Sequence, residues 1–286
     1  MKRKYIALIL PVFLLLASCR SAPASKTVSG VEVHFIDVGQ GDCILIRSGT
    51  DAVLIDAGKD EEKENVISYL SSLGIKKLSA VIGTHPHDDH IGSLDEAIKE
   101  FRPGTVIMPR VSINSKAFEN VLTAVSTQGK KIKAAKTGLV FNAGDISLRF
   151  LSPPPNADFY DLNDMSAVIR MEYAGRSFLF CGDAGCDAEE AMLSVGLLDD
   201  CDVLKVGHHG STTATSAAFL KAVSPEFAVI SVGAGNEFSL PSKSVVKRIC
   251  GAGIKIYRTD LNGSIVCTVT QEGDLSFECE KAKKAA

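Results

Sequence analysis

The 286-residue sequence contains no tryptophan, and only 6% of its residues are aromatic. It has no excess of basic residues either, since 31 Lys+Arg stand against 34 Asp+Glu and give a formal net charge of −3. This balance argues against a protein that coats nucleic acid through a broadly basic surface. Short-period repeats and low-complexity segments are also missing, and 45% of the residues are hydrophobic. These properties exclude a disordered tail and a collagen-like fibre, and they predict a globular protein.

Long apolar runs are scarce as well, and the one that is present lies at the N-terminus. Three basic residues at 2–4 precede an uncharged stretch over residues 5–16. That stretch is shorter than the ~20 apolar residues of a transmembrane helix, whereas a basic segment followed by a short apolar one is typical of a secretory signal. The segment Leu16-Ala17-Ser18-Cys19 resembles a bacterial lipobox. We therefore predict a lipoprotein signal peptide over residues 1–18, export, and a lipid on Cys19 that anchors the chain to the extracytoplasmic face of the membrane.

Removal of residues 1–18 leaves 28 Lys+Arg against 34 Asp+Glu, a net charge of −6. Residues 19–30 are small and polar, which predicts a flexible tether, and residues 31–280 have the length of one folded domain before a charged tail at 281–286. Seven further cysteines remain, an odd number without a CxxC pair. We expect most of them to be buried free thiols, and a disulfide at Cys186 is left open.

Strand-like and helix-like segments alternate along the predicted domain. Three β-rich runs open it, at 31–38, 43–47 and 52–56, and a second strand-rich region begins near residue 146. Helical patterns follow at 64–73, 92–101 and 115–127 in the first region, and at 187–195, 215–222 and 242–250 in the second. Both halves thus start with strands and continue with interleaved helices, which predicts an α/β fold of two packed sheets with helices on the outside.

Five of the six histidines fall in two short clusters, each directly after a predicted strand. The clusters are His85-Pro86-His87-Asp88-Asp89-His90 and Gly207-His208-His209-Gly210. His85 and His87 are two residues apart in an extended segment, so their side chains point the same way and can bind one divalent cation. Asp89 and His90 follow a turn and can reach a second cation. Imidazole and carboxylate ligands suit zinc, manganese or iron rather than calcium.

A carboxylate is available to lie between two such cations. Asp183 follows Gly182 at the end of a predicted strand, and an anionic side chain there can be shared by both metal ions. A water molecule held between two divalent cations has a lowered pKa and becomes a nucleophile near neutral pH. The residues therefore predict a hydrolase that uses two divalent metal ions, zinc in the first place with manganese or iron as alternatives.

These motifs resemble those of the metallo-β-lactamase superfamily. The similarity is closer still to the hydrolase domain of ComEC-type DNA-uptake proteins, and it extends over nearly all of residues 31–270. The segments that carry it are, in order, HFIDVGQGD (34–42), LIDAG (54–58), HPHDDHIG (85–92), NDMSAV (163–168), CGD (181–183) and DVLKVGHHGS (202–211). The resemblance implies an αββα sandwich, a single domain with a metal site at the edges of its sheets.

The resemblance also implies a distribution of the metal ligands. His85 and His87 would hold the first metal, Asp89 and His90 the second, and Asp183 would be shared. One residue of the pair His208/His209 would complete the second site. Since neighbours in an extended chain point in opposite directions, we expect His208 to be the ligand and His209 to face the substrate as a donor or acid.

Other residues of the matched segments receive roles outside the set of metal ligands. Asp89, His209 and Asn163 are the candidate catalytic residues, and the Ser211-Thr212 turn is expected to contact a substrate anion. Asp56 is expected to orient a ligand imidazole, with a plain turn carboxylate as the alternative. We interpret Asp37 and Asp42 as turn-binding carboxylates, with a catalytic role as the alternative, and His34 as a strand histidine with satisfied hydrogen bonds.

Two positions depart from the pattern of the family. Asn163 stands where many members have a further histidine ligand, which predicts a weaker or more hydrated first metal; relatives of the DNA-uptake type also have Asn or Ser there. Leu240 in the segment NEFSLPS (236–242) stands where those relatives commonly carry a histidine. Leucine neither donates a proton nor binds a metal, so any role of that histidine is lost or moved.

The charge pattern bears on the substrate. Residues 99–149 contain nine Lys/Arg and three Asp/Glu, a basic region that either steers a phosphodiester backbone or is a solvated helix face. We predict a membrane-anchored phosphodiesterase or nuclease that acts on DNA or another phosphodiester through a metal-bridging hydroxide. Hydrolysis of a small ester, a phosphocholine-like group or a lactam is one alternative, and a binding module with the same fold and little turnover is another. The sequence indicates no protein partner.

Overall fold

The computed structural model describes residues 29–281. The strands in this range are β1 (Val31–Phe35), β2 (Ile44–Ser48), β3 (Asp51–Ile55), β4 (Ala80–Ile82), β5 (Thr105–Met108), β6 (Ile132–Ala134), β7 (Val140–Ala143), β8 (Ile146–Ser152), β9 (Val168–Tyr173), β10 (Arg176–Phe180), β11 (Val203–Lys205), β12 (Phe227–Ile230), β13 (Lys255–Arg258), β14 (Ile265–Val269) and β15 (Leu275–Cys279). The α-helices are α1 (Lys63–Ser72), α2 (Asp88–Ile91), α3 (Leu94–Phe101), α4 (Lys116–Thr127), α5 (Cys186–Ser194), α6 (Ala217–Val223), α7 (Lys243–Gly251) and α8 (Thr259–Asn262). The predicted signal peptide and Cys19 lie outside the described residues.

Two mixed sheets stack face to face. The first has eight strands in the order β15-β14-β1-β2-β3-β4-β5-β6, and the second has seven in the order β13-β12-β11-β10-β9-β8-β7. Their apolar inner faces form one continuous core, in which the rings of Phe35 and Phe180 approach to 6.3 Å between centroids. Since full burial of a phenylalanine side chain contributes about 2–3 kcal/mol, this shared layer is a main source of stability.

Helices cover the outer face of each sheet. In α3, the apolar residues Leu94, Ala97, Ile98 and Phe101 recur at the spacing of one helix face and pack, with α1 and α4, on the first sheet. Helices α5, α6 and α7 cover the second sheet in the same way. The order helix, sheet, sheet, helix confirms the predicted αββα sandwich.

One edge of the sandwich collects the ends of strands from both sheets. Strands β3, β4 and β5 are parallel neighbours in the first sheet, and β10, β11 and β12 are parallel neighbours in the second. Parallel strands end at the same edge, so the loops after β4, β10 and β11 come together there. These loops carry residues 85–90, 183 and 208–209, which brings the two histidine clusters and the shared aspartate to one place.

Two short strands are absent from the sequence-based prediction. Strand β6 is one of the two edge strands of the first sheet, and β7 is one of the two edge strands of the second. The lysines between residues 130 and 136 therefore lie in or beside an edge strand, so the solvated helix face considered for residues 99–149 does not include them. Lysines on an edge strand discourage pairing with another chain, which is one structural reason for their presence.

Within residues 29–281, no helix is both long and apolar enough to cross a membrane. The same part of the chain contains no disulfide. Cys43, Cys181, Cys201 and Cys267 are buried free thiols, as predicted, and Cys186 is an exposed free thiol. Burial raises the pKa of the Cys201 and Cys267 thiols to about 12, so both stay protonated at neutral pH.

Candidate metal centre

Asp183 lies between two groups of histidines and faces each with a different oxygen. Its Oδ1 is 3.2 Å from Nε2 of His90 and 3.5 Å from Nε2 of His209. Its Oδ2 is 3.7 Å from Nε2 of His208 and 3.9 Å from Nε2 of His85. The carboxylate is almost fully buried, and its backbone N–H donates to the hydroxyl of Ser166 at 3.1 Å. This arrangement allows one side chain to serve two neighbouring cation sites.

The group on the Oδ1 side consists of Asp89, His90, Asp183 and His209. One ligand atom from each of the four lies within 4.8 Å of the others. Three of these atoms, Nε2 of His90, Nε2 of His209 and Oδ1 of Asp183, are buried without a hydrogen-bond partner. Buried polar atoms are nearly always paired, and a divalent cation coordinated by all three would satisfy them together. Imidazole and carboxylate donors in this number fit zinc, manganese or iron.

The hydrogen bonds at Nδ1 of His90 and His209 determine which nitrogen of each neutral ring carries the hydrogen. Nδ1 of His90 lies 2.8 Å from Oδ2 of Asp56, and Nδ1 of His209 lies 2.9 Å from the carbonyl oxygen of Ser231. A carboxylate and a carbonyl only accept, so Nδ1 carries the hydrogen in both rings and donates it. In the neutral ring, Nε2 then keeps its lone pair and points at Asp183. This is the tautomer that a metal ligand requires.

His85, His87 and His208 form the group on the Oδ2 side. Nε2 of His85 and Nδ1 of His87 face each other at 3.0 Å, as two donors to one ion do. Nδ1 of His85 contacts the hydroxyl of Thr84 at 3.2 Å, and Nδ1 of His208 contacts that of Thr213 at 2.9 Å. The contacts with Thr84 and Thr213 leave Nε2 of His85 and Nε2 of His208 toward Oδ2 of Asp183.

The structure favours the reverse of the assignment expected for His208 and His209. Both residues have left-handed backbone angles, with φ of 48° and 51°, inside the tight turn Gly207–Gly210. The rule that neighbours in an extended chain point oppositely therefore does not apply here. His209 turns inward and is buried beside Asp89 and His90, while the partly exposed His208 lies on the side of His85.

The electrostatics of the centre favour positive charge. Burial opposes protonation of His90 and His209, but the Asp183 carboxylate, together with neighbouring carboxylates, outweighs it and raises the pKa of both rings. Burial also opposes ionisation of Asp183, yet His209 and His90 hold the pKa of this carboxyl well below its usual range. For His85, burial dominates and lowers the pKa well below the ordinary value, so its ring is neutral. A cation is therefore attracted to a place from which water is largely excluded.

Asp56 makes the contacts expected of a residue that orients a ligand. It is fully buried and accepts from the backbone N–H of Thr84 at 2.7 Å and from its hydroxyl at 2.6 Å. The same carboxylate accepts from Nδ1 of His90. Asp56 thereby connects Thr84, directly before the first histidine cluster, to His90, the last residue of that cluster.

Asp42 and Lys205 are functional candidates that the sequence analysis missed. Asp42 was interpreted as a turn-binding carboxylate, but its Oδ2 lies 2.8 Å from Nζ of Lys205 and its Oδ1 lies 3.4 Å from Nδ1 of His209. The signal that could have found Lys205 is a lysine inside the apolar strand Val203–Lys205. Asp37 does bind its own turn, accepting from Gly39 N–H at 3.3 Å, as predicted.

Three further residues with predicted roles, Asn163, Ser211 and Thr212, do not join either histidine group. Asn163 lies in the turn Leu162–Met165, three residues before Ser166, and its buried Oδ1 has no hydrogen-bond partner. The hydroxyl of Ser211 contacts that of Thr213, which supports His208, and Thr212 is exposed on the same turn. Leu240 packs against the apolar cluster outside the second sheet. His34, the histidine outside the clusters, contacts Tyr69 and Glu32 at 3.0 Å each, as predicted for a satisfied strand histidine.

Comparison with known proteins identifies relatives of this chain. The chain is 33% identical over 252 residues to ComE operon protein 3 of Bacillus subtilis (strain 168), covering 82% of this chain and 32% of that protein. It is 28% identical over 256 residues to Competence protein ComA of Neisseria gonorrhoeae, covering 89% and 34% respectively. The chain thus spans about a third of the length of these relatives.

The fold comparison and the family comparison agree. The crystal structure of the metallo-beta-lactamase fold protein YhfI from Bacillus subtilis superposes with a TM-score of 0.54 at 15% identity, covering 87% of this chain and 100% of that one. A family model described as Metallo-beta-lactamase superfamily matches residues 36–234, which include both histidine groups and Asp183. With the αββα sandwich and its clustered histidines, these matches show that the chain belongs to the metallo-β-lactamase superfamily.

Proposed function

We propose that this protein is a metal-dependent phosphodiesterase or nuclease. The observation that carries the proposal is the convergence of unpaired, buried ligand atoms of His90 and His209 on one oxygen of Asp183, with His85 and His208 toward the other oxygen. A lipid on Cys19 would hold the protein at the extracytoplasmic face of the membrane, a part of the proposal that rests on the N-terminal sequence alone.

The residues present would hold two divalent ions. Asp89, His90 and His209 would bind one, His85, His87 and His208 would bind the other, and Asp183 would contribute one oxygen to each. When bound, such ions polarise a phosphoryl oxygen and supply a hydroxide nucleophile near neutral pH. The protein's own part is to fix His90 and His209 through the acceptors behind their Nδ1 atoms and to exclude bulk water from Asp183.

A cationic groove beside the centre favours an anionic substrate. Arg110 and Lys136 line a cavity of about 350 Å³ together with residues 153–157 and Met165. Arg110 follows β5, the parallel neighbour of the strand that leads to His85, so the groove opens at the same sheet edge as the metal centre. Two positive side chains there attract the phosphates that flank a scissile bond. A neutral lactam would gain nothing from them.

Two exposed aromatic residues favour a substrate with unpaired bases. Tyr160 lies fully exposed in the loop between β8 and β9, and Phe238, 59% exposed, lies in the loop after β12. In the second sheet, the strands that lead to Asp183 and His209 run between β9 and β12, which are separated by about 14 Å at the usual strand spacing. Aromatic side chains on both sides of a phosphate-binding centre can stack on the bases of a single strand.

Measured metal content together with a substrate panel tests the proposal. We expect close to two metal ions per chain and salt-sensitive cleavage of single-stranded DNA and of bis-p-nitrophenyl phosphate, without lactam hydrolysis. Asp183→Asn should lower cleavage at least about 100-fold, because both ions lose a ligand that supports several kcal/mol of transition-state stabilisation. Asp202→Asn, a carboxylate change at the opposite end of β11, is the matched control and should leave cleavage unchanged.

A binding module with little turnover is the second candidate, favoured by Asn163 and Leu240 at positions where relatives carry functional side chains. Fewer than one metal ion per chain, together with DNA binding and no cleavage, would support the module and reject the hydrolase. Cleavage that is unchanged in Asp183→Asn would reject the proposed site.

A further inference from the structure

An ion pair lies directly behind the metal centre, with both members buried. Lys205 has no exposed surface, and its Nζ contacts Oδ2 of Asp42 at 2.8 Å and the carbonyl oxygen of Val206 at 2.9 Å. Asp42 is 1% exposed. Taking a charged group out of water is costly unless a partner compensates it, so each of these two residues requires the other. Apolar residues of similar volume would fill the same space at lower cost, which raises the question of what the charges do.

The second oxygen of Asp42 is turned toward the centre. Oδ1 of Asp42 is buried without a hydrogen-bond partner and lies 3.4 Å from Nδ1 of His209. The same nitrogen donates to the carbonyl oxygen of Ser231 at 2.9 Å. Two acceptors therefore face one edge of the His209 ring, and the opposite edge presents Nε2 to Asp183.

We propose that Asp42 and Lys205 are positioning residues that hold His209 as a metal ligand, a proposal that rests on the metal centre of the proposed function. Lys205 fixes one oxygen of Asp42, and the negative charge of the other oxygen faces the hydrogen-bearing edge of the imidazole, beside the Ser231 carbonyl oxygen that accepts its hydrogen bond. The arrangement parallels that of His90, whose ring is held by Asp56, itself fixed by Thr84. Both imidazoles on the Oδ1 side are thus supported by a buried carboxylate that has a partner of its own.

The positive charge of Lys205 also affects where a cation can bind. Ligand atoms of Asp42, Asp56 and His90 also lie within 4.8 Å of one another, so that these three residues form a second group able to attract a cation. Lys205 already supplies a positive charge to Asp42 in that group. A divalent ion is thereby directed to Asp183, Asp89 and the two Nε2 atoms, and not to the carboxylates behind them.

Metal binding by the full chain tests the proposal without reference to any substrate. The metal-free protein is titrated with Zn²⁺ against a chromophoric chelator, and its Co²⁺ form is examined by visible absorption. In Asp42→Asn we expect one of two metal equivalents to bind about 10–100-fold more weakly and the Co²⁺ bands to change. Loss of a residue that supports a metal ligand typically lowers metal affinity by about that factor. The double variant Asp42→Asn/Lys205→Met leaves no unpaired buried charge, and it should fold and show the same defect.

Asp202→Asn is the matched control. Asp202 precedes the same strand at its other end and pairs with Arg176 at 2.8 Å, so its loss removes an ion pair far from the centre and should leave both metal equivalents unchanged. Wild-type metal affinity and Co²⁺ bands in the double variant would overturn the positioning role and leave the proposed function standing. An equal loss in Asp202→Asn would overturn it too, because the effect would then be general destabilisation. A wild-type chain that binds no metal would overturn both proposals.

Discussion

In His90 and His209, the hydrogen-bond acceptor at Nδ1 determines which ring nitrogen can bind a cation. In each residue Nδ1 faces a pure acceptor, which leaves the Nε2 lone pair as the one available for coordination. Asp56 is the acceptor for Nδ1 of His90, and it also accepts hydrogen bonds from the backbone N–H and the hydroxyl of Thr84. The strength of a metal site therefore depends on residues that never touch the ion.

Substitution Asp56→Asn tests this at the residue scale. The amide NH₂ of asparagine cannot accept, so either the contact from the Thr84 backbone N–H or the contact from Nδ1 of His90 is lost. We expect about 10–100-fold weaker binding of one metal ion and a loss of about 1–3 kcal/mol in the free energy of unfolding. Metal titration and urea unfolding measure the two effects. Thr84→Ser, which keeps the hydroxyl, is the control, and unchanged metal affinity in Asp56→Asn would contradict the orienting role.

The residues of the site divide into those that a motif reveals and those that only packing reveals. The spacing of His85, His87, Asp89 and His90 was sufficient to predict a metal site, because short-range geometry brings these side chains together. The choice of His208 over His209 as the partner of Asp89 and His90 assumed an extended chain, whereas the backbone is left-handed there and His209 lies beside Asp89. The roles of Asp42 and Lys205 depend on a contact across 163 residues that no local pattern encodes.

At the scale of elements, backbone hydrogen bonds join the loops that carry the site. In the turn between β1 and β2, the N–H of Asp42 donates to the carbonyl oxygen of Asp89 at 3.1 Å. After β3, the N–H of Ala57 donates to the carbonyl oxygen of His90 at 2.7 Å. Gly41, with φ of 153°, lies against Asp89 so closely that a Cβ there would overlap its carbonyl oxygen. The position of Asp89 therefore depends on the absence of a side chain at residue 41.

Substitution Gly41→Ala should displace Asp89 and weaken metal binding. We expect a loss of about 1–3 kcal/mol in stability, as for other overpacked or strained sites, and a clear fall in metal affinity. Gly39→Ala is the control, because Gly39 also has a positive φ of 63° but has open space where its Cβ would lie. Calorimetric unfolding and metal titration of both variants separate backbone strain from the clash. Equal effects of the two variants would show that Asp89 is not displaced.

The elements themselves were largely predictable wherever an apolar pattern is strong. The opening strands and the helices near 64–73, 92–101 and 115–127 were located within a few residues of their observed bounds. Strands β6 and β7 were not found, because edge strands are half exposed and lack the apolar faces that mark inner strands.

At the scale of the whole molecule, the ligands come from both sheets. The first sheet supplies residues 85–90, and the second supplies residues 183 and 208–209. An ion bound by these residues would contact both halves of the sandwich, and only the folded state brings all of them together. Binding to the folded state alone stabilises it by mass action.

Removal of metal should lower the melting temperature. At free metal about 100-fold above Kd, binding contributes about 2.7 kcal/mol, and for a domain of this size each kcal/mol shifts Tm by about 2–4 °C. We therefore expect an excess of chelator to lower Tm by roughly 5–10 °C, measured by scanning calorimetry. The Tm of Asp183→Asn should respond little to chelator. An unchanged Tm in the wild-type chain would contradict the binding of metal between the sheets.

The division of the ligands between the sheets also determines when the metal is chosen. A partly folded chain with one sheet formed offers either the first histidine cluster or Asp183, but not both, and retains an ion weakly. Imidazole and carboxylate ligands discriminate little by themselves among zinc, manganese and iron, so supply decides occupancy as much as affinity. We propose from the N-terminal sequence that the chain is exported; if it completes its folding after export, the metal in the centre would be the one that the extracytoplasmic compartment provides at that moment.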